Sequence, residues 1–214
     1  MQTKKRLIRE IISALEKDNP KAQTELVFKT PHQLLVATIL SAQCTDARVN
    51  LVTKDLFKKY ETVNDFAEAD LVELEHSIHS TGFYRNKAKN IIASSKIIVG
   101  KYAGRVPDEM EDLITLPGVA RKTANVVLFE AFGKQSGIAV DTHVIRLTNL
   151  LAITESKDPK IIEKELMSIT EQKDWGKLSD LLVLHGRKVC IARRPGCEAC
   201  RLNKLCPSAF KQQK

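Results

Sequence analysis

The chain has 214 residues, with 34 Lys and Arg against 26 Asp and Glu, a formal net charge of +8, and only 5% aromatic residues. That length allows one sizeable core or two modest lobes, and the positive balance attracts polyanions through a salt-dependent term for which nucleic acid is the best-fitting partner. The few aromatics speak against a base-stacking platform and for contact with a duplex backbone; no apolar run is long enough to span a membrane, and the start MQTKKRLIRE lacks the apolar centre of a signal peptide, so a cytoplasmic chain with nothing removed is expected.

Helical periodicity then runs along the chain. From Lys4 to Asp18, Leu7, Ile8, Ile11, Ile12 and Leu15 share one side with Lys and Arg opposite. Thr30 followed by Pro31 is a cap with a first-turn proline, and it opens a helix apolar enough to be buried, through Leu34, Leu35, Val36, Ile39 and Leu40. Thr45 and Asp46 start the next, through Val49, Val52, Leu56 and Phe57 to Tyr60, and shorter helices follow around Val63 to Ala67 and Leu71 to His79, where Gly82 ends the series. Tyr84 to Tyr102 reads as a long helix with Ala88, Ile91, Ile92, Ile97 and Ile98 inward, and Gly104 and Pro107 lead out of it.

Asp108 to Phe132, DEMEDLITLPGVARKTANVVLFEAF, reads as two helices joined by a tight hairpin. Asp108 can cap a short helix carrying Met110, Leu113 and Leu116; Pro117 and Gly118 break the chain, and Arg121 onwards resumes with Val126, Val127, Phe129 and Phe132. Gly118 can take a positive φ, and the backbone N–H groups of Gly118, Val119 and Ala120 would face an anion with the positive end of the following helix behind them, which suits a phosphate. Lys122, beside Arg121 in that helix's first turn, has surroundings that disfavour the ammonium form, as an amine nucleophile needs. The same residues also read as an ordinary turn with a solvated lysine.

Beyond Phe132, Gly133 and Gly137 loosen the chain before Ile138, Ala139 and Val140, and Asp141 then caps a helix carrying Val144, Leu147, Leu150 and Leu151. Asp158-Pro159 begins another, and Ile161 to Ile169 and Trp175 or Leu178 to Val189 complete the set. No segment alternates like a strand, so the class is all-α. His143 and His185 could transfer protons, although helix packing is the commoner use of such histidines.

Four of five cysteines fall in the last 25 residues, Cys190, Cys197, Cys200 and Cys206, spaced C-x6-C-x2-C-x5-C. A reducing compartment argues against disulfides. Four thiolates in so short a segment can converge on a metal centre; one close pair rather than two favours an iron–sulfur cluster and leaves zinc open. Between the first two, Arg193 and Arg194 could be held against a duplex backbone. Cys44 stands apart and reads as a small buried hydrophobe.

LPGVARKTANVV followed by IAVDTHVIR, with LLVATILSAQCTD near the start and the terminal cysteines, closely resembles the endonuclease III branch of the helix-hairpin-helix DNA glycosylases over nearly the whole chain. The resemblance implies two lobes, a six-helix lobe over residues 24–135 and an iron–sulfur lobe built from residues 1–23 together with 136–214. It implies a monomer that removes a damaged base from double-stranded DNA and cleaves the strand at the abasic site, associated with the nucleoid through that DNA. Lys122 matches the family's nucleophile and Asp141 its carboxylate, while Cys190, Cys197, Cys200 and Cys206, with Pro207 after the last, match the ligands of its [4Fe-4S] cluster. Gln43 matches the residue inserted into the duplex when a nucleotide is flipped out, with Phe83 in the neighbouring wedge loop TGFYRNK where many relatives carry leucine. Ala120 stands where the common pattern has a second glycine. Oxidised pyrimidines such as thymine glycol are the expected substrates; a pyrimidine-dimer glycosylase would share Lys122 and Asp141, and a non-catalytic DNA-binding iron–sulfur module would keep the hairpin and the cysteines.

Overall fold

Eleven α-helices form in the computed structural model, which describes residues 2–211. In chain order they are α1 (Gln2–Glu16), α2 (Pro31–Leu40), α3 (Asp46–Lys59), α4 (Val63–Ala67), α5 (Leu71–Ile78), α6 (Tyr84–Tyr102), α7 (Met110–Leu113), α8 (Arg121–Phe132), α9 (Thr142–Leu150), α10 (Pro159–Ile169) and α11 (Trp175–Lys188). The chain divides into two compact units, Glu25–Lys134 and Met1–Thr24 with Gln135–Lys214. No helix among the described residues is long and apolar enough to cross a membrane.

The contiguous unit is built around α2. Every residue from His32 to Leu40 is buried, so the helix has no solvent face and must run through the centre of its unit. Thr30 starts it as the sequence predicts: its hydroxyl accepts from the Gln33 amide at 3.2 Å, and Pro31 occupies the first turn. Leu34, Leu35 and Leu40 of α2 share a core with Phe66, Leu74, Ile78, Ile91, Ile98 and Leu113 from the other helices of the unit, each worth roughly 1.5 to 3 kcal/mol of burial. Seven α-helical segments form here where six are expected, because the pieces include short turns: α4 has 5 residues and α7 has 4. Thr62 and Asp65 close a reciprocal capping box on α4. The long α6 ends as Ala103 and Gly104 take positive φ and the Gly104 amide reaches back to the Ile98 carbonyl at 3.0 Å.

Asp108 does not cap the hairpin's first helix. Glu109 stands at that cap position without a side-chain bond, and the Asp108 carboxylate pairs instead with Lys134 at 2.8 Å. The lysine also binds the Asp108 carbonyl and the Glu109 carboxylate, at 2.7 and 2.6 Å, which anchors the end of α8 to the chain entering α7.

In the second unit the apolar face of α1, Ile8, Ile11, Ile12 and Leu15, meets residues of α9, α10 and α11, including Val144, Leu147, Ile162, Leu166, Leu178 and Leu181. Polar ties reinforce that packing: Lys4 donates to the Ile153 carbonyl at 2.8 Å, Lys177 pairs with Glu16 at 2.8 Å, and Arg201 pairs with Asp18. Gly186 lets α9 and α11 approach closely, since a Cβ there would lie 2.8 Å from Leu147 and 2.9 Å from His143. One departure from the all-helical pattern is β1 (Cys190–Ile191) paired antiparallel with β2 (Arg194–Pro195), too short to show alternation in sequence.

Candidate active site and nucleic-acid interface

The hairpin owes its shape to Gly118. Its φ of +80° belongs to the left-handed region, and a Cβ there would lie 2.9 Å from Asn90 on α6, so both conformation and space exclude a side chain. From the same helix, the buried Ser94 hydroxyl donates to the Pro117 carbonyl at 2.7 Å and holds the turn from behind. Ala120 has φ −88° and ψ 166°, an extended conformation open to alanine, so the missing second glycine costs this turn nothing in backbone strain.

The expected trio of free amides is reduced to two. The Val119 N–H donates to the Leu116 carbonyl at 3.1 Å and its side chain is buried, whereas the amides of Gly118 and Ala120 make no hydrogen bond among the described residues. Helix α8 begins without a side-chain cap, leaving its positive end for an external acceptor. Arg121 and Lys122 are both exposed in its first turn, and Lys122 has no hydrogen bond or ion pair among the described residues.

Elsewhere in the same unit, Gln43 lies in the turn after α2 and Phe83 directly before α6. Both are exposed, Phe83 at 63%, and both are non-glycine residues at positive φ, 54° and 48°. That conformation costs an L-residue roughly 1 to 2 kcal/mol, and an exposed phenylalanine gains no burial in return.

In the other unit, Asp141 caps α9: its Oδ1 accepts from the His143 and Val144 amides at 2.8 and 2.9 Å. Both bonds fall on one oxygen, and Oδ2 makes none among the described residues. Burial pushes the neighbouring His143 imidazole down, with Arg146 and Arg187 acting the same way and the Asp141 charge opposing them. His185 is also lowered by burial, and its Nε2 lies 3.3 Å from the Cys200 sulfur, placing it in the packing of the cysteine segment.

Cys190, Cys197, Cys200 and Cys206 line one small cavity together with Leu150, Pro195, Asn203, Ser208 and Ala209. Burial pushes the Cys190 and Cys200 thiols up, and charge on their fellow cysteines adds to it. Among the described residues no group of three His, Cys, Asp or Glu is gathered closely enough to hold a metal ion. Arg193 and Arg194 are exposed on the loop and strand between the first two cysteines. Arg146, which has no evident signal in the sequence, reaches from α9 to the Gly186 and Cys190 carbonyls at 3.0 and 2.7 Å. Cys44 is half-buried against the first unit's core and far along the chain from the other four.

The model of the HhH-GPD superfamily of base excision DNA repair proteins matches residues 36–172. Endonuclease III of Synechocystis sp. is 54% identical over 209 residues, covering 98% of this chain and 95% of that protein. The chain belongs to the endonuclease III family. It is a bifunctional enzyme of base excision repair, a DNA glycosylase and AP lyase. Two solved endonuclease III structures share its fold with a TM-score of 0.92 each: a non-covalent DNA complex, 45% identical and covering 97% of both chains, and a trapped covalent DNA intermediate, 44% identical and covering 98% of this chain and 99% of that one.

Proposed function

We propose that Lys122 is the amine nucleophile of both reactions and Asp141 the carboxylate that stabilises the cationic sugar, acting on oxidised pyrimidines such as thymine glycol in duplex DNA. The observation that carries this is the state of Lys122, an exposed amine without a partner among the described residues, in the first turn of an uncapped helix behind the Gly118 turn. The neutral Nζ attacks C1′ of the deoxyribose as the glycosidic bond breaks; the base departs with that bond's electron pair and takes up a proton. Asp141 keeps Oδ2 available to stabilise the positive charge that develops on the sugar while Oδ1 stays engaged in capping α9. Ring opening gives an imine on Lys122, loss of a C2′ proton then expels the 3′ phosphate, and water frees the product from the lysine.

Flipping the target nucleotide leaves a gap in the duplex. Gln43 and Phe83, exposed at strained backbone positions, fill it. The Gly118 and Ala120 amides with Arg121 receive a phosphate, and Arg193 and Arg194 contact the backbone without reading sequence. The four cysteines hold a [4Fe-4S] cluster. Four cysteine sulfurs lining one cavity are the donor set such a cluster needs. A cationic centre would also relieve the cost of ionising the buried Cys190 and Cys200 thiols. When bound, the cluster ties the ends of the Arg193–Arg194 loop together.

Borohydride trapping on abasic duplex DNA tests the nucleophile. The wild type forms a covalent adduct, and Lys122→Gln loses it while retaining duplex binding; an undiminished adduct from the variant would exclude Lys122.

A further inference from the structure

Lys87 is an ammonium in an unusual place. It lies in the first turn of α6 and is 5% exposed, on the inward face that also carries Ile91, Ser94 and Ile98. Its Nζ donates to the Leu40 carbonyl and to the Thr81 carbonyl, each at 2.8 Å. Leu40 is the last residue of α2, three before Gln43, and Thr81 is two before Phe83. A single side chain therefore binds the roots of the two loops that present Gln43 and Phe83, both at positive φ.

Burying a charge is expensive unless it is paired, and the hydrogen-bond partners here are two neutral carbonyls, with no carboxylate. Burial pulls the ammonium's pKa down, opposed by the neighbouring Cys44. A methionine would fill similar space without that cost, so packing alone does not account for a lysine. An ammonium supplies three donors from one point, which lets it bind two chain segments that no main-chain hydrogen bond joins among the described residues. The carbonyls at the end of α2 also carry the negative pole of the helix, which favours a cation there.

We propose that Lys87 is a positioning residue for duplex insertion, fixing the spacing between the Gln43 and Phe83 loops so that both side chains enter the gap left by a flipped nucleotide. This rests on the reading that Gln43 and Phe83 are the inserted residues. Each loop has internal bonds, Cys44 N to Ser41 O at 3.0 Å and Thr81 Oγ1 to Ile78 O at 2.8 Å, but these fix the shape of one loop alone. The Lys87 clamp sets one against the other.

The test compares Lys87→Met with wild type in two single-turnover reactions. Excision of thymine glycol from a duplex requires insertion; borohydride trapping on a single-stranded abasic oligonucleotide does not. Loss of fold lowers both. The expected result is a fall of about 10-fold to 100-fold in duplex excision, the scale for misplacing a group by about an ångström, with single-strand trapping within about 2-fold of wild type. Combining Lys87→Met with Gln43→Ala and Phe83→Ala slows excision no further than the latter pair alone. Lys87→Gln, which keeps a donor but cannot reach both carbonyls, is read in the same way should Lys87→Met not fold. Slow excision by the Gln43 and Phe83 variants alongside wild-type excision by the Lys87 variants, or fully additive losses, would overturn the clamp and leave the insertion reading standing. Wild-type excision by the Gln43 and Phe83 variants would overturn both.

Discussion

Gly118 was legible in sequence as a residue able to take a positive φ, because Pro-Gly between two apolar helical patterns marks a tight turn. Its second constraint, the approach of Asn90, joins residues 28 positions apart and has no local signature. The two add up to a prediction. Gly118→Ala places a Cβ at φ +80° and within 2.9 Å of Asn90, and should destabilise the folded protein by about 2 kcal/mol. It should also weaken binding to abasic duplex by displacing the Gly118 and Ala120 amides. Chemical denaturation and a binding titration measure the two effects, and an unchanged denaturation midpoint would show that the turn tolerates a side chain. Ala120 makes the opposite case: its extended φ explains why a residue other than glycine is accommodated there. Val119 was misread because a hairpin motif places three amides near one another but does not say which of them the turn itself consumes.

Helix α9 does more than its sequence pattern discloses. The Asp141 cap and the apolar stripe were readable from residue type and spacing, whereas nothing in the sequence singled out Arg146. Its guanidinium bonds the carbonyls of Gly186 in α11 and Cys190 at the start of β1, and its Nε has no hydrogen-bond partner among the described residues. A cation this committed to main-chain carbonyls joins the helix that carries Asp141 to the segment that carries the first cysteine. The consequence is measurable through the metal. Wild-type protein should contain about four irons per chain, and Arg146→Met should contain fewer and lose them faster to a chelator, because β1 is no longer held against α9 and α11. Iron content and chelator resistance equal to wild type would show that the cysteine segment organises itself. Arg146→Lys should recover little, since an ammonium cannot reproduce the planar fork.

Each of the two units has a hydrophobic core of its own. Apart from α2, legible by its unbroken apolar run, the longer helices were legible because they alternate between a buried and a solvated side at 3.6-residue spacing, with Thr30, Asp141 and Asp158 marking starts. What covers each apolar side was not, since α1 finds its partners more than 120 residues away, and periodicity carries no information about distance along the chain. The first core has a titrating member, His32 on α2, whose Nε2 lies 3.0 Å from the Ser95 hydroxyl of α6 and whose ring meets Phe66 edge-on at 5.2 Å. Burial lowers its pKa from 6.5 to about 4. Between those values the unfolded chain takes up a proton that the folded chain refuses, so stability from this group is whole above about pH 7 and is lost as pH falls towards 4. By pH 5 the loss should be about 2 kcal/mol. His143 and His185, also lowered by burial, act in the same direction, whereas the lowered carboxylates Asp65, Glu73, Asp108 and Asp112 contribute mainly below about pH 5. Amide hydrogen exchange in α2 and α6 reads the unit that holds His32 without involving the cysteine segment. Protection factors there should fall by roughly 30-fold between pH 7 and pH 5, the equivalent of about 2 kcal/mol, and His32→Gln, which retains a partner for Ser95, should remove most of that fall. Equal pH dependence in both proteins would mean that the imidazole protonates in place without cost to the core.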